Sequence, residues 1–266
     1  MVSRGNSVMD HFNISTMSNK VFFTLLILLF CLNPYISVLA QKADTAEVVR
    51  TFAGTVTVTT KGLSTFPNLT LGKPASVFDF TMGGEKFRFD PTLRFSLEGK
   101  PWTFIFWLRY KIMENERLQL RIGAHPAYSF KTVQVSEGGV SKDMLRVYQY
   151  LAGEISPVFF ITERISAGPH YIYSRGVDKD AVRNSNFISF RMNLSGMNLT
   201  DKLFMRLLAQ TYYLKMDAND GFYVNTNLSL IRRNFPLSVS STVNKTIEST
   251  IPGNDFLWNL NLTYSY

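Results

Sequence analysis

The chain closes on Phe256-Leu-Trp-Asn-Leu-Asn-Leu-Thr-Tyr-Ser-Tyr266, in which large apolar or aromatic side chains alternate with mostly small or polar ones up to the last residue. A period of two belongs to an extended strand. It puts Phe256, Trp258, Leu260, Leu262, Tyr264 and Tyr266 on one face and Asn259, Asn261, Thr263 and Ser265 on the other. Such a strand must lay its apolar face on a protein core or against lipid.

The same pattern recurs along the chain. From Lys86 to Glu98 the odd positions carry Phe87, Phe89, Pro91, Leu93, Phe95 and Leu97, and the even ones Lys86, Arg88, Asp90, Thr92, Arg94, Ser96 and Glu98. After Gly99-Lys100-Pro101, one face holds Trp102, Phe104, Phe106, Leu108, Tyr110 and Ile112, opposed by Thr103, Ile105, Trp107, Arg109 and Lys111. Residues 117–131, 188–195 and 222–230 repeat it. Less regular segments lie at 51–60, 63–71, 75–82, 143–160, 164–174, 202–216 and 236–246.

A soluble sandwich also sets apolar residues opposite charged ones, so alternation alone does not choose between core and lipid. Three further features favour lipid. Aromatic residues are 14% of the chain, and many fall near stripe ends, where membrane barrels carry interfacial girdles. Connections alternate in length: the long linkers expected at 132–142, 175–185 and 247–254 follow odd-numbered strands, and those after even strands are short. The last strand carries no polar tail.

The N-terminal part holds an apolar run, Val21 to Leu32, after Lys20 and before Val38-Leu39-Ala40. Twelve residues are too few for a membrane-spanning helix, which needs about 20. The layout predicts a signal peptide over residues 1–40, cleaved after Ala40, with Met17 as an alternative translation start. Cys31 is the chain's one cysteine and lies inside the apolar run; bulky Phe30 before it argues against lipid attachment. The mature chain therefore has neither disulfides nor thiolate metal ligands to use.

Cleavage removes Arg4, Lys20 and Asp10, which takes the net charge from +8 to +7. The basic excess is not clustered, which argues against a nucleic-acid partner. With no later apolar stretch of helical spanning length, insertion would be through strands, and strands in lipid must close into a barrel. Treating 51–71 as one long strand gives about twelve strands. If 51–60 and 63–71 are separate, the count is odd, and one of them would fold as a plug or a periplasmic hairpin.

The signal peptide, the amphipathic strands and the terminal Tyr266, preceded at intervals of two by Tyr264, Leu262, Leu260 and Trp258, resemble outer-membrane β-barrel proteins of Gram-negative bacteria. The segments Leu71-Gly72-Lys73-Pro74-Ala75, Asp90-Pro91 and Glu98-Gly99-Lys100-Pro101-Trp102 are also similar to porin-like barrels common in Bacteroidetes. The resemblance implies an all-β chain: a transmembrane antiparallel up-and-down barrel over 51–266, after a short periplasmic segment at 41–50. It implies an outer-membrane location, outer-membrane lipid as surroundings, and a final strand read by the barrel-assembly machinery through Trp258, Leu260, Leu262, Tyr264 and Tyr266. Within the two Gly-Lys-Pro sequences, glycine would supply a left-handed torsion and proline would start the next strand.

If the apolar faces meet lipid, the lumen is lined by Lys86, Arg88, Arg94, Arg109, Lys111, Arg121, His125, Arg164, His170 and Arg191, with Asp79, Asp90, Glu98 and Glu154 among the acids. This cationic excess predicts passive diffusion of small hydrophilic, preferably anionic solutes. Two alternatives stand beside it: a closed structural or adhesion barrel, in which charges pair and fill the lumen, and a lipid hydrolase resembling outer-membrane phospholipase A. The hydrolase needs a serine beside a histidine. His125 and Ser129 are four strand residues, about 13 Å, apart, and a cross-strand pair such as His170 with Ser129 stays open. An enzyme is not expected, and neither a cofactor nor a metal.

Overall fold

The computed structural model describes residues 51–137 and 140–266, so the expected signal peptide over 1–40 and the expected periplasmic segment 41–50 lie outside the described residues. The strands are β1 (Thr51–Thr59), β2 (Ala75–Gly83), β3 (Phe87–Ser96), β4 (Pro101–Glu114), β5 (Leu118–Glu137), β6 (Val140–Phe160), β7 (Ile165–Gly176), β8 (Asn184–Asn198), β9 (Leu203–Met216), β10 (Asn219–Arg232), β11 (Leu237–Ser249) and β12 (Phe256–Ser265). Each pairs antiparallel with the next, and β12 returns to β1 to close the barrel. Closure satisfies the edge that a sheet in lipid could not leave exposed.

At the seam Thr55 faces Ser265, Thr57 faces Thr263 and Thr59 faces Asn261. The hydroxyls of Thr57 and Thr263 hydrogen-bond at 2.9 Å. Beyond the last paired strand residue, Gly54 and Tyr266 exchange backbone hydrogen bonds of 3.3 and 3.1 Å. The Tyr266 ring lies on Gly54: a Cβ there would stand 2.3 Å from the phenol oxygen.

Alternation sorts the two faces by chemistry. Trp258, Leu260, Leu262 and Tyr264 point outward and are 46–49% exposed, and Phe190, Phe222 and Leu228 on other strands are 44–55% exposed. On the opposite face of the wall Asn259 of β12, Asn244 of β11, Gln210 of β9, Ser189 of β8 and His170 of β7 are buried. A soluble barrel would have this the other way round, so the fold is that of a barrel spanning a membrane.

The turns at 84–86, 115–117, 161–164, 199–202 and 233–236 gather at one rim. At the other rim stand loop L1 (residues 60–74), the hairpin tips of β3–β4 and β9–β10, the paired ends of β5 and β6 at Glu137 and Val140, and the connections 177–183 and 250–255. Gly72 and Gly99 have φ of +75° and +83°, and Pro74 and Pro101 then lead into β2 and β4, as the Gly-Lys-Pro chemistry requires. A salt bridge of 2.9 Å from Lys73 to Glu98 joins these two turns.

Three sequence expectations are corrected. The connection at 132–142 is not a loop: β5 runs to Glu137 and β6 starts at Val140, so two strands of 20 and 21 residues rise together. Arg164 is not in the lumen; it sits exposed in the 161–164 turn, because β7 begins only at Ile165. Trp102 is not on the outer girdle. Arg94 pairs with Thr103 but the next residue, Phe95, pairs with Pro101, and this bulge turns Trp102 inward, where it is buried.

Residues 63–71, the ambiguous segment, form no strand. L1 folds inward as a compact loop whose base is pinned by Gly62 N–H to Lys73 O (2.8 Å) and Leu71 N–H to Gly62 O (2.9 Å), with one 3-10 turn at Pro67–Leu69.

Candidate functional site

The lumen is built from the even-parity side chains of β3, β6, β7, β9 and β11 and the odd-parity ones of β1, β2, β4, β5, β8, β10 and β12, so its chemistry follows directly from strand register. At the short-turn rim, Arg88 stands opposite Arg109 and Lys111 opposite Arg121 on adjacent strands. With Lys86 from the β2–β3 turn they line a mouth cavity of about 220 Å³ whose one acidic wall residue is Glu85. Like charges placed so closely repel, and the arrangement costs free energy unless counter-charge or water occupies the space.

Arg109 joins this mouth to the larger cavity above it. Its Nη1 donates to Asp90 Oδ2 at 2.8 Å and its Nε to Glu154 Oε1 at 2.7 Å, while the guanidinium packs on the Trp107 ring at 4.4 Å. Glu154 bonds His170 Nε2 at 2.9 Å through its other oxygen. Asp90, Arg109, Glu154 and His170 thus form one hydrogen-bonded chain around the wall from β3 to β7.

That chain needs a gap, since Arg109 on β4 and Glu154 on β6 are separated by β5. The intervening residue in register with both is Gly123. A Cβ on Gly123 would lie 3.0 Å from Glu154 Oε1 and 3.2 Å from Arg109 Cγ, so glycine leaves the passage through which the pair meets. A second strand-skipping contact runs from Arg191 on β8, which donates to Ser156 Oγ on β6 at 2.8 Å across Gly168 of β7, although the space Gly168 leaves is taken by the β6 backbone at Pro157 and Val158.

The cavity above Arg109 has a volume of about 490 Å³ and is roofed by Leu63, Ser64, Thr65, Phe66, Asn68 and Leu69 of L1. Phe66 stacks on Phe187 of β8 at 5.8 Å. Since β8 is six strands from β2 in the closed ring, L1 crosses the lumen from one wall to the other. Around Phe187 lie Tyr212, Leu214, Met216, Tyr223 and Ile251, an apolar cluster inside the barrel that narrows the side opposite L1's base. On the near side Trp102 Nε1 donates to Leu69 O at 2.7 Å, and Arg94 stacks over the indole at 5.3 Å.

Nine of the ten expected lining residues therefore face the lumen or its mouth: Lys86, Arg88, Arg109, Lys111 and Arg121 at the short-turn side, and Arg94, His125, His170 and Arg191 above them. Their charges are unequally free. Arg109 is held between two carboxylates, and Lys111 is bonded to Glu114, whereas Arg121 Nε is buried without a hydrogen-bond partner. Sequence reasoning missed Gly123, the Phe187 cluster and the partners of L1. A signal existed for L1, because 63–71 contains Pro67 and lacks clean alternation.

The serine–histidine pair that the phospholipase-like reading calls for is not formed among the described residues. His125 packs edge-on against Trp107 at 4.0 Å, His170 is committed to Glu154, and among the described residues no histidine hydrogen-bonds a serine. Ser189, directly across from His170 in register, instead accepts a hydrogen bond from Gln210 at 2.9 Å.

Fold and site together define a twelve-stranded transmembrane β-barrel with an ionic lumen crossed by an inward loop. No protein-family model matches the chain and no curated protein matches it. Solved structures do share the architecture. The KdgM porin, determined in complex with disordered oligogalacturonate, aligns at 7% identity and TM-score 0.49 over 80% of this chain and 99% of its own. The NanC porin aligns at 10% identity and TM-score 0.48 (80% and 98%), and LpxR from Salmonella typhimurium at 9% and 0.48 (80% and 99%). At such identities the likeness is one of barrel form.

Proposed function

We propose that this protein is a porin-like channel of the bacterial outer membrane, passing small hydrophilic solutes and favouring anions. The observation that carries the reading is the mouth where Arg88, Arg109, Lys111 and Arg121 converge, opening through Arg109 into the cavity under L1. In a narrow lumen with low-dielectric walls, unpaired cations raise the local anion concentration and lower that of cations. Arg88 and Arg121 make no ion pair among the described residues and supply the bias, while Arg109 is largely spent on Asp90 and Glu154. L1 sets the aperture.

On this reading the surroundings are outer-membrane lipid, the transported partners are small solutes, and the terminal residues Trp258, Leu260, Leu262, Tyr264 and Tyr266 serve the assembly machinery. No step of catalysis is assigned. The test is single-channel recording in planar bilayers with the reversal potential measured under a salt gradient. Discrete conductance with anion preference is expected, and Arg88→Glu with Arg121→Glu should move the preference toward cations. Conductance with intrinsic cation selectivity would overturn the anion assignment.

A second reading rests on L1 itself. Because Phe66 is stacked on the far wall, the described conformation favours a closed barrel as much as a gated one. Silence of the intact barrel, with conductance appearing once residues 63–70 are replaced by a short glycine-serine turn, would identify L1 as the closure. Silence of both proteins would leave a structural barrel.

A further inference from the structure

One groove on the outer wall departs from a plain apolar belt. Between β6 and β7, near the long-loop rim, a groove of about 570 Å³ is lined by Leu151, Gly153, Tyr173, Val177, Arg175 and Arg183. Gly153 faces outward here, opposite Tyr173 on β7 and Ala124 on β5. A Cβ on it would meet only the Gly123 carbonyl, at 3.7 Å, so the notch is open space rather than a packing necessity. The floor is apolar.

Its upper end is cationic. Arg175 is the next outward residue of β7 after Tyr173, about 7 Å nearer the rim, and Arg183 precedes β8 beside it. Neither guanidinium makes an ion pair among the described residues. The nearby carboxylates are occupied elsewhere: Asp217 accepts the backbone N–H groups of Arg183 and Asn184 at 2.9 and 2.8 Å, Asp178 accepts that of Gln149, and Asp180 pairs with Arg146. Just below, Tyr171 and Tyr173 donate to Asn186 and Asn184 at 2.8 and 2.7 Å. Tyrosines with bonded hydroxyls on an outer wall mark the headgroup level. The two arginines therefore stand in the plane of lipid phosphates.

We propose that this groove is a binding site for a phosphorylated membrane lipid of the leaflet at the long-loop rim. Arg175 and Arg183 hold the phosphate, and one acyl chain lies along Leu151, Gly153 and Tyr173. Guanidinium suits this ligand because its planar fork bonds phosphate oxygens two at a time. The notch at Gly153 gives a fit that charge alone would not. The inference needs the barrel to span a membrane and is independent of whether it conducts.

The test is native mass spectrometry of the delipidated full barrel in detergent, titrated with dioleoyl phosphatidic acid. Dioleoylglycerol and inorganic phosphate are the comparison ligands. One phosphatidic acid should be retained per barrel, dioleoylglycerol should bind at least about tenfold more weakly, and equimolar phosphate should not displace the lipid. Arg175→Ala with Arg183→Ala should lose about tenfold or more in affinity, and so should Gly153→Leu, which fills the notch and leaves both cations in place. Equal retention by these variants, equal binding of dioleoylglycerol, or displacement by phosphate alone would overturn the site. Heat-modifiable migration of each variant shows that the barrel is folded, and unchanged conductance would separate this result from the channel reading.

Discussion

The indole N–H of Trp102 donates to the carbonyl oxygen of Leu69 at 2.7 Å, tying the tip of L1 to the wall at β4. The ring also fills the space beside Gly62, where a Cβ would come within 2.9 Å of it. Trp102 is thus both latch and stop for the loop.

Trp102→Phe keeps an aromatic ring under Arg94 and deletes the hydrogen bond, which is worth about 1 kcal/mol. If L1 gates the lumen, its released state should gain about fivefold in population, since 1 kcal/mol is a factor of that size. Bilayer recordings should show more frequent or longer high-conductance events. Phe66→Ala, which removes an aromatic contact worth roughly 0.5–1.5 kcal/mol beyond its area, should act in the same direction from the opposite wall. Both variants having wild-type recordings would detach L1 from gating.

The charge chain yields a prediction about selectivity. Glu154→Gln retains shape and an acceptor for Arg109 but removes a negative charge from the lumen, leaving Asp90 as Arg109's only ionic partner among the described residues. The reversal potential should shift toward stronger anion preference. Arg109→Met does the reverse and leaves Glu154, 5% exposed, without its arginine. Breaking a buried pair in this way costs roughly 3–5 kcal/mol, so the variant should also unfold at lower urea.

Gly123 offers a sharper test of the same chain, since it carries no charge. Gly123→Val would push branched carbons into the 3.0 and 3.2 Å spaces beside Glu154 and Arg109 and force the pair apart. The expected result is a loss of about 3 kcal/mol in urea unfolding, approaching that of Arg109→Met. Gly123→Val combined with Glu154→Gln should recover part of it, because the buried charge is then gone. Full additivity of the two changes would show that Gly123 does not act through this pair.

Strand faces were legible in the sequence wherever lipid and water act on alternate residues. Asn259, Asn261 and Thr263 point inward and Trp258, Leu260 and Leu262 outward because the two solvents demand opposite chemistry at neighbouring positions. The reading failed where parity itself breaks. Trp102 is the extra residue of a bulge between Pro101 and Thr103, Arg164 belongs to a turn, and L1 leaves the wall altogether. Contacts such as Phe66 on Phe187 join distant segments through the curvature of the closed ring. Alternation along one strand holds no information about what faces it across a lumen. For the same reason the lining cations could be named in advance, but Arg109's two carboxylate partners and the glycine between them could not.

The seam carries the last prediction. Tyr266 lies over Gly54, packs against Phe52 at 6.1 Å, and exchanges backbone hydrogen bonds with Gly54 where the last strand meets the first. A side chain at position 54 would displace the ring, since even a Cβ would fall 2.3 Å from its hydroxyl oxygen. Gly54→Val should therefore disturb closure through Tyr266 and leave the lumen untouched. The expected outcome is a larger unfolded fraction on unheated gels and slower refolding into vesicles, with unchanged conductance per folded channel. Tyr266→Ala removes the ring that clashes, so the double variant should refold better than Gly54→Val alone. That partial rescue distinguishes a steric conflict at the seam from loss of an assembly signal, because removal of a signal residue could only add to the defect.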